Sequence, residues 1–197
     1  MKRLLPLLTI AFLFAACQQQ GHTPKPRGYF RIDLPEKEYR LFDRPGYPYT
    51  FEYPVYANVV KDSLFFGEDT ENPWWINLEF PEFNGKIYMS YKQVGGKNAL
   101  DKLVNDAFKL TYKHTYKAES IEEEAITLPG GVSGLFYQVA GNAASAKQFF
   151  VTDSSNHFLR GALYFYAQPN ADSLAPVTRF VEEDMRHLVN TLKWRPN

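Results

Sequence analysis

Trp75-Ile76-Asn77-Leu78-Glu79-Phe80-Pro81-Glu82-Phe83-Asn84-Gly85-Lys86-Ile87-Tyr88-Met89-Ser90-Tyr91 sets the fold class. Ile76, Leu78 and Phe80 alternate with Asn77 and Glu79, which places the three apolar side chains on one face of a strand. Asn84-Gly85 is the strongest short hairpin signal, because both residue types accept the positive φ that tight strand connections require. Two antiparallel strands follow, with an apolar face that helices must cover.

Working outward, the apolar period changes from two to 3.6 after Gly95-Gly96. Leu100, Leu103, Val104, Ala107, Leu110, Thr111 and His114 share one face, with Asp101, Lys102, Asn105, Asp106, Lys109 and Lys113 largely opposite. This spacing predicts an amphipathic helix of about twenty residues. Residues 121–127 read as a strand or a helix end, and Leu128-Pro129-Gly130-Gly131 as a turn. Strands are expected over 134–140, 147–152 and 158–166, separated by Gly141-Asn142 and Asp153-Ser154-Ser155-Asn156. Asp172 or Ser173 is expected to cap a last helix, whose Leu174, Val177, Phe180, Val181, Met185, Leu188, Val189 and Leu192 form one apolar stripe. Pro176 is compatible with that helix if it lies in the first turn. On the N-terminal side, prolines at 35, 45, 48 and 54 forbid a long helix. Residues 31–42 read as extended chain wrapping the domain, and Pro54 puts a strand over 49–60 at an edge or beside a bulge. The expected fold class is α+β: an antiparallel sheet of about five or six strands packed by two long helices. The order of elements resembles the PsbP/Mog1-like architecture, a similarity that bears on fold alone.

The first seventeen residues are of another kind. Lys2 and Arg3 precede about eleven mostly apolar residues, 4–14, and then Ala15-Ala16, the pattern of an export signal. The run is too short for a comfortable membrane span, which needs about twenty residues. Leu13-Phe14-Ala15-Ala16 leads directly into Cys17, the only cysteine, and resembles the lipobox of bacterial lipoproteins, with Phe14 where that pattern prefers Leu. The resemblance implies a signal peptide over 1–16, diacylglycerol on the Cys17 thiol and an acylated new amino terminus. Several acyl chains at about 0.8 kcal/mol per methylene anchor a chain without a transmembrane helix. Residues 17–27 form a polar, Gly- and Pro-rich lipidated tether, and 28–197 suit a single α+β domain with its own core. Gln18 is not the Asp that marks inner-membrane retention, and no acidic run follows the cysteine, so an outer-membrane anchor with the body facing the periplasm is expected. Lys plus Arg and Asp plus Glu balance at 22 each, which leaves no electrostatic footprint for nucleic acid.

Five stretches carry a closer resemblance. They are residues 24–35 (PKPRGYFRIDLP), 51–57 (FEYPVYA), 75–78 (WINL), 148–154 (QFFVTDS) and 157–165 (HFLRGALYF). Their joint order resembles the gliding motility lipoprotein GldD family over nearly the whole mature chain, lipobox included. The resemblance implies a component of gliding motility and of the linked type IX protein secretion machinery. It would act with other gliding motility lipoproteins and envelope proteins, and the resemblance brings no catalytic motif.

The residues agree in what they lack: no G-x-S-x-G, no H-E-x-x-H, no Gly-rich phosphate loop and no Cys/His cluster at metal spacing, so neither enzyme activity, cofactor nor metal is expected. His114 reads as a core histidine. The Asp153-to-His157 run reads as a turn, since triads are built from separated segments. His187 with Arg186 suits a helix C-terminus, and Glu122-Glu123-Glu124 a solvated face. Two features are candidate interaction surfaces. Trp74 and Trp75, adjacent in an extended stretch, point to opposite sides, so one indole is available at the surface. Arg27, Tyr29 and Arg31, just past the tether, could dock a partner through Arg and Tyr anchors. The alternative function is an envelope module binding a glycan or lipid, for which 13 tyrosines could supply a lining.

Overall fold

The computed structural model describes residues 31–62, 64–65, 68–113 and 115–195; the leader, Cys17, Arg27, Tyr29 and His114 lie outside these. Residues from Asp33 onward form one packed unit, and only Arg31 and Ile32 of the preceding unit are described.

The hairpin is present. Strand β6 (Ile76–Phe80) pairs antiparallel with β7 (Gly85–Gln93) in a register running from Ile76 opposite Met89 to Phe80 opposite Gly85. Its connection differs from a two-residue Asn-Gly turn. Pro81–Phe83 form one 3₁₀ turn and Asn84 alone takes the left-handed conformation, with φ 49°. Gly85 already belongs to the strand, where a Cβ would stand 2.9 Å from the Phe165 ring.

Around this pair lies a seven-stranded antiparallel sheet in the order β3-β6-β7-β11-β10-β9-β8. Its other strands are β3 (Asn58–Lys61), β8 (Ala118–Leu128), β9 (Val132–Gly141), β10 (Lys147–Thr152) and β11 (His157–Phe165). A three-stranded sheet of β1 (Tyr39–Phe42), β2 (Tyr49–Pro54) and β12 (Lys193–Trp194) has the order β1-β2-β12, and β4 (Leu64–Phe65) pairs with β5 (Glu68–Asp69) as a ribbon. The strand count therefore exceeds the expected five or six, for three physical reasons. The segment 49–60 is two strands in two sheets: β2 ends at Pro54, which has no amide to donate, and the chain turns through Ala57 N–H donating to Pro54 O before β3 begins. Residues 39–42, expected as extended wrapping, pair with β2. The Glu-rich stretch after the first helix is a full edge strand, β8, so the expected three-strand meander has four members.

The helices are α1 (Leu100–Tyr112) and α2 (Ala171–Thr191). At 13 residues α1 is shorter than expected. Its buried stripe is Leu103, Ala107 and Thr111, spaced by four, whereas Leu110 is exposed, and the chain must turn at 113–117 to enter β8. Helix α2 is capped by Asn170, whose side chain accepts from Ser173 N–H at 3.1 Å, two to three residues earlier than expected. Pro176 thus sits one turn deeper, as the sixth helical residue.

Strand alternation divides the core in two. Ile76, Leu78, Ile87, Met89, Phe149, Val151 and Leu159 face α2, meeting Val181, Met185, Leu188 and Val189 together with Tyr49 and Phe51 of β2. Tyr137, Phe150 and Phe158 point the other way and meet Leu103 and Ala107 of α1. Burying each large side chain contributes about 1.5–3 kcal/mol, so the α2 layer dominates stability. Edge strand β8 carries exposed Glu119, Glu122, Glu123 and Glu124, charges that discourage pairing with another chain.

Candidate interaction site

The segment that enters the body from the tether side is held by one buried carboxylate. Asp184, on α2 and 1% exposed, accepts from Lys37 Nζ at 2.6 Å, Tyr39 OH at 2.9 Å and Tyr56 OH at 2.6 Å. Lys37 also donates to Phe180 O at 2.6 Å and lies 3.5 Å from the centre of the Phe180 ring. Burial, reinforced by the Asp184 charge and hydrogen bond, pushes both tyrosine hydroxyls well above their usual pKa. His187, expected to serve the helix dipole, instead stacks on Tyr39 at 3.6 Å and meets Glu52 at 2.7 Å. The cluster pins residues 37–39 to α2.

The two adjacent tryptophans separate as the alternation requires. Trp75 is 5% exposed and donates Nε1–H to Tyr91 O at 2.7 Å, so it belongs to the core and leaves the set of candidate contact residues. Trp74 is half-buried, donates to Gly46 O at 2.7 Å and packs edge-on against Tyr91 at 5.5 Å. It walls an open hollow of about 310 Å³ with Tyr47, Pro48, Gln93 and Arg195. Arg195 is held in the wall of the hollow by donating to Arg44 O at 2.8 Å and by pairing with Asp43. Of the basic and aromatic trio, only Arg31 is described, and it is exposed.

The remaining histidine and acidic motifs are structural. Asp153 Oδ1 accepts from the backbone N–H groups of Ser155, Asn156 and His157, so the run is a turn, and these bonds hold the carboxyl below its usual range against its burial. His157 is buried against Trp194, with ring centroids 4.9 Å apart, and its Nδ1 meets Tyr91 OH at 2.7 Å; burial lowers its pKa and keeps it neutral. Glu124 receives a two-pronged bond from Arg186 at 3.1 and 2.9 Å. Among the described residues no group of three or more His, Cys, Asp or Glu is placed to hold a metal ion, and no helix is long and apolar enough to cross a membrane.

Sequence reading missed an exposed tyrosine group on the face of the large sheet opposite α2. Tyr88 and Tyr166 are 37% and 58% exposed, their hydroxyls 3.1 Å apart, and Tyr164 meets Tyr88 edge-on at 5.6 Å. Lys86 sits 5.3 and 5.6 Å from the Tyr88 and Tyr166 rings and pairs with Glu79 at 2.8 Å. Burial and the Tyr166 hydrogen bond raise Tyr88 to about 12, while bonds from Tyr88 and Lys86 lower Tyr166. The signal was present as Lys86, Tyr88 and Ser90 on the polar side of the β7 alternation. A separate cleft of about 450 Å³ at the start of α2 has several alanines in its wall, among them Ala143, Ala144, Ala146 and Ala175.

Comparison with protein families matches the model described as gliding motility lipoprotein GldD over residues 19–194. The chain belongs to this family. Membership joins it to the lipoproteins associated with gliding motility, and the matched span includes Trp74, the Asp184 cluster and the tyrosine group. Among solved structures, the solution structure of cyanobacterial PsbP (CyanoP) from Synechocystis sp. PCC 6803 is similar, with 12% identity, a TM-score of 0.48, and coverage of 84% of this chain and 98% of that one. Comparison with curated proteins gives no match.

Proposed function

We propose that the chain is a non-enzymatic, lipid-anchored component of the gliding motility machinery and of the linked type IX secretion system. In this reading Cys17 carries the lipid, the anchor lies in the outer membrane and the body faces the periplasm, working through contacts with other motility lipoproteins and envelope proteins. The observation that carries the reading is the family match beginning at residue 19, two residues after a lone cysteine that follows an apolar leader. The polar clusters support it: Asp184, His157 and Asp153 are each committed to partners within the fold. Contact surfaces of the required kind are the Trp74 hollow and the exposed tyrosines, residue types that dominate binding energy at interfaces. In a strain whose sole copy is Cys17→Ser, the chain is expected to leave the membrane fraction and gliding to be lost. Normal gliding by that strain would overturn the anchoring role.

A second reading, an envelope module binding a glycan or lipid, is favoured by one observation, the open aromatic hollow beside Trp74.

A further inference from the structure

On the sheet face covered by α1, three strands bring together polar groups whose hydrogen-bonding capacity is not used up. Tyr137 on β9 lies directly opposite Gln148 on β10, and Gln148 directly opposite Ala162 on β11. Arg160, two residues before Ala162, shares their face. Arg160 Nη2 donates to Gln148 Oε1, which also faces Thr111 Oγ1 of α1 at 3.2 Å. Because a guanidinium only donates, this contact fixes the orientation of the Gln148 amide: its oxygen faces Arg160 and its Nε2 must point elsewhere. Gln148 is 0% exposed and its Nε2 has no partner; Tyr137 is 1% exposed and its hydroxyl has none.

The charge is unbalanced as well. Arg160 is partly buried and forms no ion pair with a carboxylate among the described residues; Gln148 Oε1 is its one hydrogen-bond acceptor there. The ionisable groups it senses are Tyr164 and Tyr137, and its own burial lowers its pKa. A partly buried guanidinium without a counter-charge is costly, and so is each orphaned donor beside it. The two orphaned groups and the charge call for the same thing. The Gln148 amide nitrogen and the Tyr137 hydroxyl each lack an acceptor beside a cation without a carboxylate partner, and a single bound anion would answer both. One unpaired positive charge calls for a monoanion, and the Glu123 carboxylate close enough to perturb Tyr137 disfavours a dianion such as phosphate. Carboxylate matches the planar fork of a guanidinium through two parallel bonds.

We propose that Arg160, with the free Gln148 amide and the free Tyr137 hydroxyl, binds a small organic carboxylate beneath the C-terminal half of α1. The inference does not depend on how the chain is anchored.

The test uses the mature lipidated chain in detergent micelles at pH 7, titrated calorimetrically with sodium acetate and compared in thermal unfolding against sodium chloride at equal ionic strength. Saturable acetate binding is expected, with a midpoint at least about 2–4 °C higher in saturating acetate. Arg160→Gln is expected to abolish both. Tyr137→Phe is expected to weaken acetate binding about fivefold or more while leaving the ligand-free midpoint unchanged or raised, because it removes an orphaned hydroxyl. That variant decides the matter should Arg160→Gln fail to fold. Glucuronate and N-acetylglycylglycine identify the source of the carboxylate: tighter binding than acetate by one of them names a sugar acid or a peptide end. No saturable acetate binding, or binding unchanged in Tyr137→Phe, overturns the proposal.

Discussion

Gly134→Ala is expected to abolish folding or to cost more than about 4 kcal/mol, the range reached only by substitutions that break a specific structural device. A Cβ at Gly134 would fall on the Phe150 carbonyl oxygen of β10, and would stand 2.8 Å from Phe150 C and 2.9 Å from Val151 Cα. These are backbone atoms of a central strand, so no rotamer change can make room. The β9–β10 ladder would have to part, and Phe149 and Phe150, which feed the cores on opposite faces, would move with it. Gly161→Ala is the control. There the three nearest atoms all belong to the ring of Phe149, a buried side chain whose shift disturbs packing without parting a backbone ladder, so a smaller loss is expected. Urea unfolding of the two variants separates the cases; equal losses would show that the sheet yields at Gly134.

Asp184→Ala is the second large effect, a loss of about 3–5 kcal/mol. The carboxylate is buried on α2 and its removal takes an acceptor from three donors at once, the Lys37 ammonium and the hydroxyls of Tyr39 and Tyr56. Leaving a charge without its partner in a dry site costs more than the pair itself contributes. Asp184→Asn keeps the shape and an acceptor oxygen but loses the charge, and should fall between the variant and the parent. The damage is also expected to be localised: cleavage by trypsin after Lys37 and Arg40 should accelerate before global unfolding, because the cluster is what ties this segment to α2. Unchanged proteolysis with lowered stability would mean that the segment is held by β1–β2 pairing alone.

The parts of this fold that could be read in advance are those whose periodicity is unbroken. The hairpin at 76–91, the strands from 132 to 165 and the stripe from Val177 to Val189 each repeat over enough residues to declare their period. Failures occurred where a local pattern was overruled from a distance. Strand β1 is defined by pairing with β2, and β12 by pairing across more than 140 residues with Tyr49 and Thr50, partners that no local window contains. Strand β8 is so rich in glutamate that it shows no apolar alternation, and the periodicity that suggested a longer α1 ran on to His114 although the helix ends at Tyr112. The Trp74–Trp75 pair was legible in kind, since alternation sends one inward, but which one required the fold. The Arg160 group was invisible for a simpler reason. Tyr137, Gln148 and Arg160 become neighbours only once the registers of three strands are known.

The family places this protein among gliding motility lipoproteins, and the account rests on a lipid at Cys17 holding a body that works by contact. The most direct measurement is metabolic labelling of growing cells with a clickable palmitate analogue, followed by recovery of the chain. Label is predicted on the parent chain and absent from a Cys17→Ser chain expressed at the same level. An unlabelled parent, or a Cys17→Ser chain that still carries the label, would contradict the account.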